Sequence, residues 1–237
     1  SYFLQTTTEG FTVIQINGLN KSLFGGGHKV DILNGIDLVI PSGQLIAITG
    51  ASGSGKTTLL SLIAGLDEPT GGNIVINDQD ITKLNEDELA ELRSQHFGFI
   101  FQNFNLIPTL TALENVTLSA ELNGTNGSQK KSIELLSLVG LANRNHHYPA
   151  QLSGGEQQRL CLARAFINEP SIVLADEPTG NLDSQNSKLI LDLMIDLHRN
   201  KKSTIALVTH EPDVAKKAER IIVMDDGKII QDSMPTL

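Results

Sequence analysis

Gly50-Ala51-Ser52-Gly53-Ser54-Gly55-Lys56-Thr57-Thr58 is the stretch from which the rest of the chain can be placed. Four residues separate Gly50 from Gly55-Lys56-Thr57, which is the spacing G-x-x-x-x-G-K-[ST]. Glycines let a backbone curl until successive N–H groups point at one anion, so the spacing predicts a loop that cradles phosphate oxygens. Lys56 would set its ammonium between the terminal phosphates and Thr57 would offer its hydroxyl to a Mg²⁺ ion. Ala51, Ser52, Gly53, Ser54 and Thr58 would complete the cradle. The flanks agree with this reading. Leu45-Ile46-Ala47-Ile48-Thr49 is an apolar run of strand length that feeds the loop. Lys56 to Ala64 carries Leu59, Leu60, Leu62 and Ile63 and stops at Gly65, as a helix does. The N-terminus of that helix faces the anion.

The 237 residues are enough to bury a sizeable core, as one domain with an appended subdomain. A hydrophobic content of 40% against 19% charged excludes a disordered chain. The net charge of −9 argues against nucleic acid as a partner, because phosphate backbones are held by basic excess. The single cysteine, Cys161, lies in an apolar helical run, closes no intramolecular disulfide, and reads as a core residue in a reducing compartment. No apolar run approaches the roughly 18 residues that cross a bilayer. Gln5 to Glu9 breaks any early apolar stretch, so no signal peptide is expected.

Phe11 to Leu19 alternates as a first strand, and Lys21 to Gly27 reads as a flexible glycine-rich loop. Ile36 to Ile40 and Gln44 to Thr49 flank the turn tripeptide Pro41-Ser42-Gly43 and read as a hairpin that leads into the phosphate loop. Gly72 to Asn77 and Phe97 to Gln102 read as strands, and Glu86 to Arg93 as a helix. From Leu110 to about Phe166 the period turns helical, with a polar break at Asn123 to Ser128. Strands return at Ile172 to Asp176 and Ile205 to Thr209, with a helix over Ser187 to Arg199 between them. Arg220 to Gln231 reads as a hairpin turning on Asp225-Asp226-Gly227. The alternation predicts an α/β fold with a largely parallel sheet.

Ile172-Val173-Leu174-Ala175-Asp176-Glu177 is an apolar strand that ends in two carboxylates. Asp176 would hold Mg²⁺, directly or through water, and Glu177 would polarise a water attacking the terminal phosphate. Leu152-Ser153-Gly154-Gly155-Glu156-Gln157 is a helix start, in which Ser153 caps and Glu156 closes a capping box. Its free N–H groups, hydroxyl and glycines make a second anion cradle. One chain has little use for two phosphate cradles on one nucleotide unless they come from different copies.

That hexapeptide is similar to the signature of ATP-binding-cassette (ABC) ATPases, and the resemblance covers about residues 11 to 231. It implies ATP and Mg²⁺ as cofactors. It implies a P-loop cassette with a mostly parallel core sheet, an antiparallel β subdomain and a helical signature subdomain. The α/β core with its β subdomain would take about 1–102 and 168–237, and the helical part about 103–167. It also implies a head-to-tail dimer, each ATP lying between Lys56 and Thr57 of one copy and Ser153, Gly154 and Gly155 of the other. Gln102 resembles the family's glutamine loop, which contacts Mg²⁺ or water. Asn181-Leu182-Asp183 looks like the loop that crosses the dimer interface, with Asp183 among the nucleotide-binding residues. His210 looks like the switch histidine that contacts the γ-phosphate. One departure concerns adenine, which the family stacks on an aromatic residue after the first strand. The aligned position here is Leu23, so either the adjacent Phe24 takes that role or the base rests on an aliphatic surface. His146 and His147 read as surface residues, since no third metal ligand is in view.

Ala175 to Asp183, together with Ala64 to Asp67 and Asn105 to Val116, resembles the lipoprotein-release and macrolide-export group. Pro149-Ala150-Gln151, Arg164-Ala165-Phe166 and the missing aromatic at Leu23 look closest to the YbbA-like branch. The resemblance implies a cytoplasmic ATPase subunit held at the inner face of a membrane by an integral permease with a periplasmic domain. The complex would be a bacterial export or extraction machine of the mechanotransmission type, with the permease-facing surface near Gln102 to Thr109. A cell-division-type signalling ATPase built on the same cassette, or a non-transport cassette, is the alternative.

Overall fold

The computed structural model describes residues 12–25 and 28–233. The expectations placed on Gln5 to Glu9, Phe11, Gly26 and Gly27 lie outside them. A four-stranded antiparallel sheet, in the order β2-β1-β4-β5, is made of β1 (Thr12–Gly25), β2 (His28–Pro41), β4 (Gly71–Ile76) and β5 (Gln79–Asp80). A six-stranded sheet, in the order β10-β9-β3-β8-β7-β6, is made of β3 (Leu45–Gly50), β6 (Phe97–Phe101), β7 (Ile172–Asp176), β8 (Thr204–Val208), β9 (Arg220–Asp225) and β10 (Lys228–Ser233). The helices are α1 (Lys56–Ile63), α2 (Glu86–His96), α3 (Ala112–Leu122), α4 (Ser128–Leu138), α5 (Gly154–Phe166), α6 (Ser184–Lys201) and α7 (Pro212–Ala215).

The central strands are apolar throughout because both of their faces are covered. Ile46 and Ile48 of β3, with Ile172 and Leu174 of β7, face a core shared with α1 and the antiparallel sheet. Leu45 and Ala47, with Val173 and Ala175, face a second core filled from α3, α5 and α6. The period-two alternation of each strand thus feeds two cores at once.

Two expectations are corrected. The segments flanking Pro41-Ser42-Gly43 do not form a hairpin. β2 pairs with β1, whereas β3 pairs in parallel with β8 and β9, so the turn carries the chain from one sheet to the other. A strand that is apolar on both faces needs a neighbour on each side, and here the nearest segment in sequence supplies neither. The stretch from Lys21 is likewise no flexible loop, because β1 continues to Gly25 and pairs with β2 from Lys21↔Leu33 to Gly25↔His28. Lys21 is buried there because Asp67 Oδ1, at 2.6 Å, and the Glu68 carbonyl, at 2.7 Å, accept from its ammonium. The turn at Asp225-Asp226-Gly227 joins β9 to β10 through positive φ at Asp226 and Gly227, the conformation that two-residue hairpin turns require.

Between β6 and α3 the chain is held by side chains. The Asn115 amide, buried on α3, donates to the carbonyls of Ile107, Leu110 and Thr111, and its oxygen accepts from Ile107 N–H. Arg164 of α5 donates to the carbonyls of Phe104 and Asn105, and the Cys161 thiol donates to Phe104 O at 3.0 Å. Cys161 is fully buried, and burial pushes its pKa up to about 12, so it is a packed core thiol. No helix among the described residues is long and apolar enough to cross a membrane.

Candidate nucleotide site

The strands β9, β3, β8, β7 and β6 run parallel, so their carboxyl ends open on one edge. Phe101, Asp176 and Val208 stand in register, which brings the residues after them out side by side. Ligands of open parallel sheets bind at this edge. A cleft of about 470 Å³ lies here, lined by the phosphate loop together with Ile32, Glu177 and His210.

The loop owes its shape to crowding from two strands. Gly50 has φ 144°, and a Cβ there would lie 2.1 Å from the Met224 carbonyl of β9. At Gly55, with φ 96°, a Cβ would lie 2.6 Å from Leu33 Cδ2 of β2. α1 then starts with neither a side-chain cap nor an acid in its first turn, which leaves its leading N–H groups and positive dipole end for an anion. Lys56 is buried, and its ammonium donates to Gly50 O at 2.9 Å and Ala51 O at 2.8 Å, which holds it over the loop.

Asp176 closes β7 half-buried. Burial raises its pKa above the usual carboxylate value, and the charge of Glu177 adds to the rise, while the Thr57 hydroxyl and the Lys56 ammonium act the other way. Its Oδ1 is shut off from solvent and has no hydrogen-bond partner. An orphaned carboxylate oxygen beside a threonine hydroxyl is the donor set a hard cation takes, so Thr57 and Asp176 fit Mg²⁺. Glu177 follows in the left-handed region at φ 47°, held by its N–H to Val208 O at 2.9 Å and by Gly180 N–H to its own carbonyl at 3.1 Å. That backbone turns the carboxylate into the cleft, where Oε2 lies 2.6 Å from His210 Nδ1. Glu177, His210, Lys56 and Thr57 therefore meet.

Other sequence-predicted residues do not line the cleft, although Gln102 stands beside it: a Cβ on Gly180 would lie 3.0 Å from Gln102 Nε2 and 3.3 Å from Glu177 Oε2. The Gln102 side-chain amide donates to Asn181 Oδ1 at 3.3 Å, and the Gln102 backbone carbonyl accepts from Asn181 Nδ2 at 3.1 Å. Asp183 caps α6, and the N–H groups of Asn186 and Gln185 hold its carboxyl below the usual range. Ser153 caps α5 and is exposed with Gly154, while Gly155 is buried behind them. Glu156 accepts from Ser153 N–H and from Arg144 Nε, both at 2.8 Å, which takes its pKa down to about 2. No residue from 152 to 157 lines the phosphate cleft. His146 and His147 belong to no group of metal-ligating side chains among the described residues.

Phe24 is also elsewhere. Side chains alternate along a strand, and paired residues share a face. Lys21 pairs with Leu33, whose side chain presses toward Gly55, so Leu23 and its partner Val30 lie on that same face. A register shift between Lys21 and Ser22 bulges β2 at Ile32, and Ile32 lines the phosphate cleft. Ser22, Phe24, Lys29 and Asp31 line a separate groove, with Ser22 Oγ donating to Asp31 at 2.7 Å. Val30 and Ile32 were missed in the sequence. The period-two run His28-Lys29-Val30-Asp31-Ile32 was the available signal, hidden behind glycines that read as a loop.

The profile of the ABC transporter family matches residues 33–180. The chain is 44% identical over 223 residues to the ABC transporter ATP-binding protein YbbA of Escherichia coli K12, covering 93% of this chain and 98% of that one. It is 45% identical over 213 residues to the lipoprotein-releasing system ATP-binding protein LolD of Legionella pneumophila, covering 89% and 94%. It is 44% identical over 226 residues to the macrolide export ATP-binding/permease protein MacB of Brucella abortus, but spans only 35% of that longer protein. The dimeric, post-hydrolysis structure of the ATP-binding cassette MJ0796 bound to ADP and Pi superposes with a TM-score of 0.87 at 38% identity, covering 94% of this chain and 99% of that one.

Proposed function

The chain belongs to the ABC transporter family as an ATPase cassette, and from that premise we propose that two copies close head to tail on two ATP molecules to drive a membrane permease in bacterial export or extraction. The observation that carries this reading is the separation of the two anion cradles. Ser153 and Gly154 face solvent at the start of α5, and nothing in their segment lines the chain's own phosphate cleft. A second copy brings Ser153, Gly154 and Gly155 over the nucleotide held by the first.

In that sandwich Lys56 exchanges its loop carbonyls for β- and γ-phosphate oxygens, and the loop N–H groups from Gly50 to Thr58 hold the rest. Glu177 accepts a hydrogen bond from the attacking water and takes its proton as the water oxygen bonds to phosphorus and the bond to the β-phosphate oxygen breaks, and His210, already bonded to Glu177, aligns both against the γ-phosphate. Thr57 and Asp176, with Gln102, would hold Mg²⁺, which would neutralise charge on the transferred group when bound. Asp183 keeps its cap and lines the interface between copies. The base rests on the aliphatic face of Leu23, Val30 and Ile32.

The permease engages a groove of about 540 Å³ between α2 and β6 on one side and α3 and α5 on the other. Its rim includes the exposed apolar side chains of Leu66, Ile107 and Leu122, next to the loop that begins at Gln102. A short amphipathic helix from the membrane partner suits such a groove. Among the relatives, MacB is named a macrolide export ATP-binding/permease protein and LolD a lipoprotein-releasing system ATP-binding protein, which supports a membrane permease as partner. We extend this to a permease with a periplasmic domain, the cassette at its cytoplasmic face.

Glu177→Gln tests the reading. With ATP and Mg²⁺ the variant should form a dimer in light scattering and lose about a hundredfold or more in turnover. From native membranes it should bring down one integral membrane protein. A variant that stays monomeric with ATP would overturn the sandwich.

A further inference from the structure

We propose that Gln158 is a positioning residue whose buried amide ties the signature helix to the loop carrying Glu177, and so links one nucleotide of the dimer to the other. Gln158 lies on α5 with no exposed surface, and its Nε2 donates to the Pro178 carbonyl at 2.7 Å. A carbonyl only accepts, so the nitrogen of the side-chain amide must be the atom that faces it. The other end of the amide, Oε1, is buried with no partner. An orphaned acceptor costs stability. A methionine would fill the same space with no oxygen to orphan, so packing alone does not account for this residue.

The contact is one of several on the same segment. At Gly155, one turn before Gln158, a Cβ would lie 2.4 Å from Asn186 Oδ1, so the start of α5 presses directly on the start of α6. Thr179, also buried, donates to Glu211 Oε1 at 2.8 Å, and Glu211 adjoins His210. Pro178-Thr179 is thus gripped by α5 on one side and by the His210 loop on the other. Glu177 immediately precedes it, and its strained backbone leaves little freedom of its own.

The consequence rests on the two-copy reading. There Ser153 of a chain bears on the nucleotide held by its partner, while Glu177 of that chain serves the nucleotide held by its own phosphate loop. Gln158 joins the two within one chain and touches neither nucleotide. A shift of α5 on closing over one ATP is passed through Pro178 to the carboxylate at the other, which makes hydrolysis cooperative in ATP.

Gln158→Met in the full chain removes the bond and keeps the volume. It should lower kcat about tenfold, leave KM for ATP nearly unchanged, and bring the Hill coefficient down toward unity. Thr179→Val should lower kcat while keeping the native Hill coefficient. Gln158→Glu covers the case in which the methionine variant does not fold. Its carboxyl donates only when protonated, so its kcat relative to the native chain should fall as pH rises. A Gln158→Met chain with native kcat and Hill coefficient, or a Gln158→Glu chain with a flat native-like ratio, overturns the proposal. Loss of ATP-dependent dimers in a Glu177→Gln background would instead sink the two-copy reading, and the kcat of Gln158→Met would still decide whether Gln158 positions Glu177.

Discussion

Replacing Leu23 by tyrosine would turn the aliphatic face that we propose carries the base into an aromatic one, in a strand position where the pairing of β1 with β2 is made by backbone. Leu23 and Val30 are opposite each other and 53% and 54% exposed, so both have free surface to offer a purine. A planar base on two aliphatic side chains gains area burial alone. A ring stacked on it adds about 1 kcal/mol beyond the area term, which is about fivefold in Kd. Titration calorimetry with ATP, GTP and tripolyphosphate separates the contributions. In the native chain ATP and GTP should bind within a few-fold of each other, because aliphatic carbons do not read base edges. Leu23→Tyr should tighten ATP about fivefold and leave tripolyphosphate unmoved. Phe24→Ala, on the opposite face, should change none of the three. The reasoning is refuted if Phe24→Ala weakens ATP severalfold while Leu23→Tyr has no effect, since the register would then have assigned the faces wrongly.

Asp176→Asn should melt above the native chain in metal-free buffer at neutral pH, because a carboxylate whose folded pKa is raised above 3.8 favours the folded state most when protonated and loses that advantage as pH rises through the folded value. Mg²⁺ with ATP should then stabilise the native chain more than the variant, and a lower melting temperature for Asp176→Asn in chelator would contradict the orphaned-oxygen argument. Glu156 behaves oppositely: its folded pKa of about 2 lies below the ordinary 4.5, so its stabilisation is complete above about 4.5 and disappears as pH falls to about 2. Urea midpoints of the native chain and Glu156→Gln, measured against pH, should therefore converge over that window. A gap that persists at pH 2 would assign the difference to something other than this carboxylate.

Most of the proposed phosphate site was legible in the sequence because its motifs are local. The glycine spacing of Gly50 to Thr58 announces the cradle, although Met224 and Leu33, far off in sequence, are what crowd it into shape, and Asp176-Glu177 needs only to follow an apolar strand. Pairing is not local, and there the reading failed. Ile40 and Gln44 flank an ordinary turn, yet their strands belong to different sheets, because β3 finds its neighbours at Arg220 to Met224 and Ile205 to Val208. The glycines at 25 to 27 read as a loop, although the Leu23–Val30 pair beside them belongs to the strands. The capping box of Ser153 and Glu156 was legible because it is local, three residues apart, whereas Gln102 was legible only as a motif position, since Asn181, which holds it, lies 79 positions away. Gln158 carried no signal in the sequence, as one more polar residue on an apolar helix whose partner lies twenty positions away.

The clamps on the segment after β6 set how motion can pass between the two halves of the cassette. Gln102 is fastened to Asn181, and Phe104 is fastened to α5 through Arg164 and Cys161, so Asn103 alone spans the gap. A flexible connection would absorb a push as slack and return it as heat. A linkage one residue long has two free torsions and almost no stored length, so a displacement of α3 and α5 would reach Gln102 nearly undiminished. Asn115 extends that stiffness to Leu110 and to Ile107, which lines the groove. On this reading the segment would act as a crank, with its pivot at Asn103.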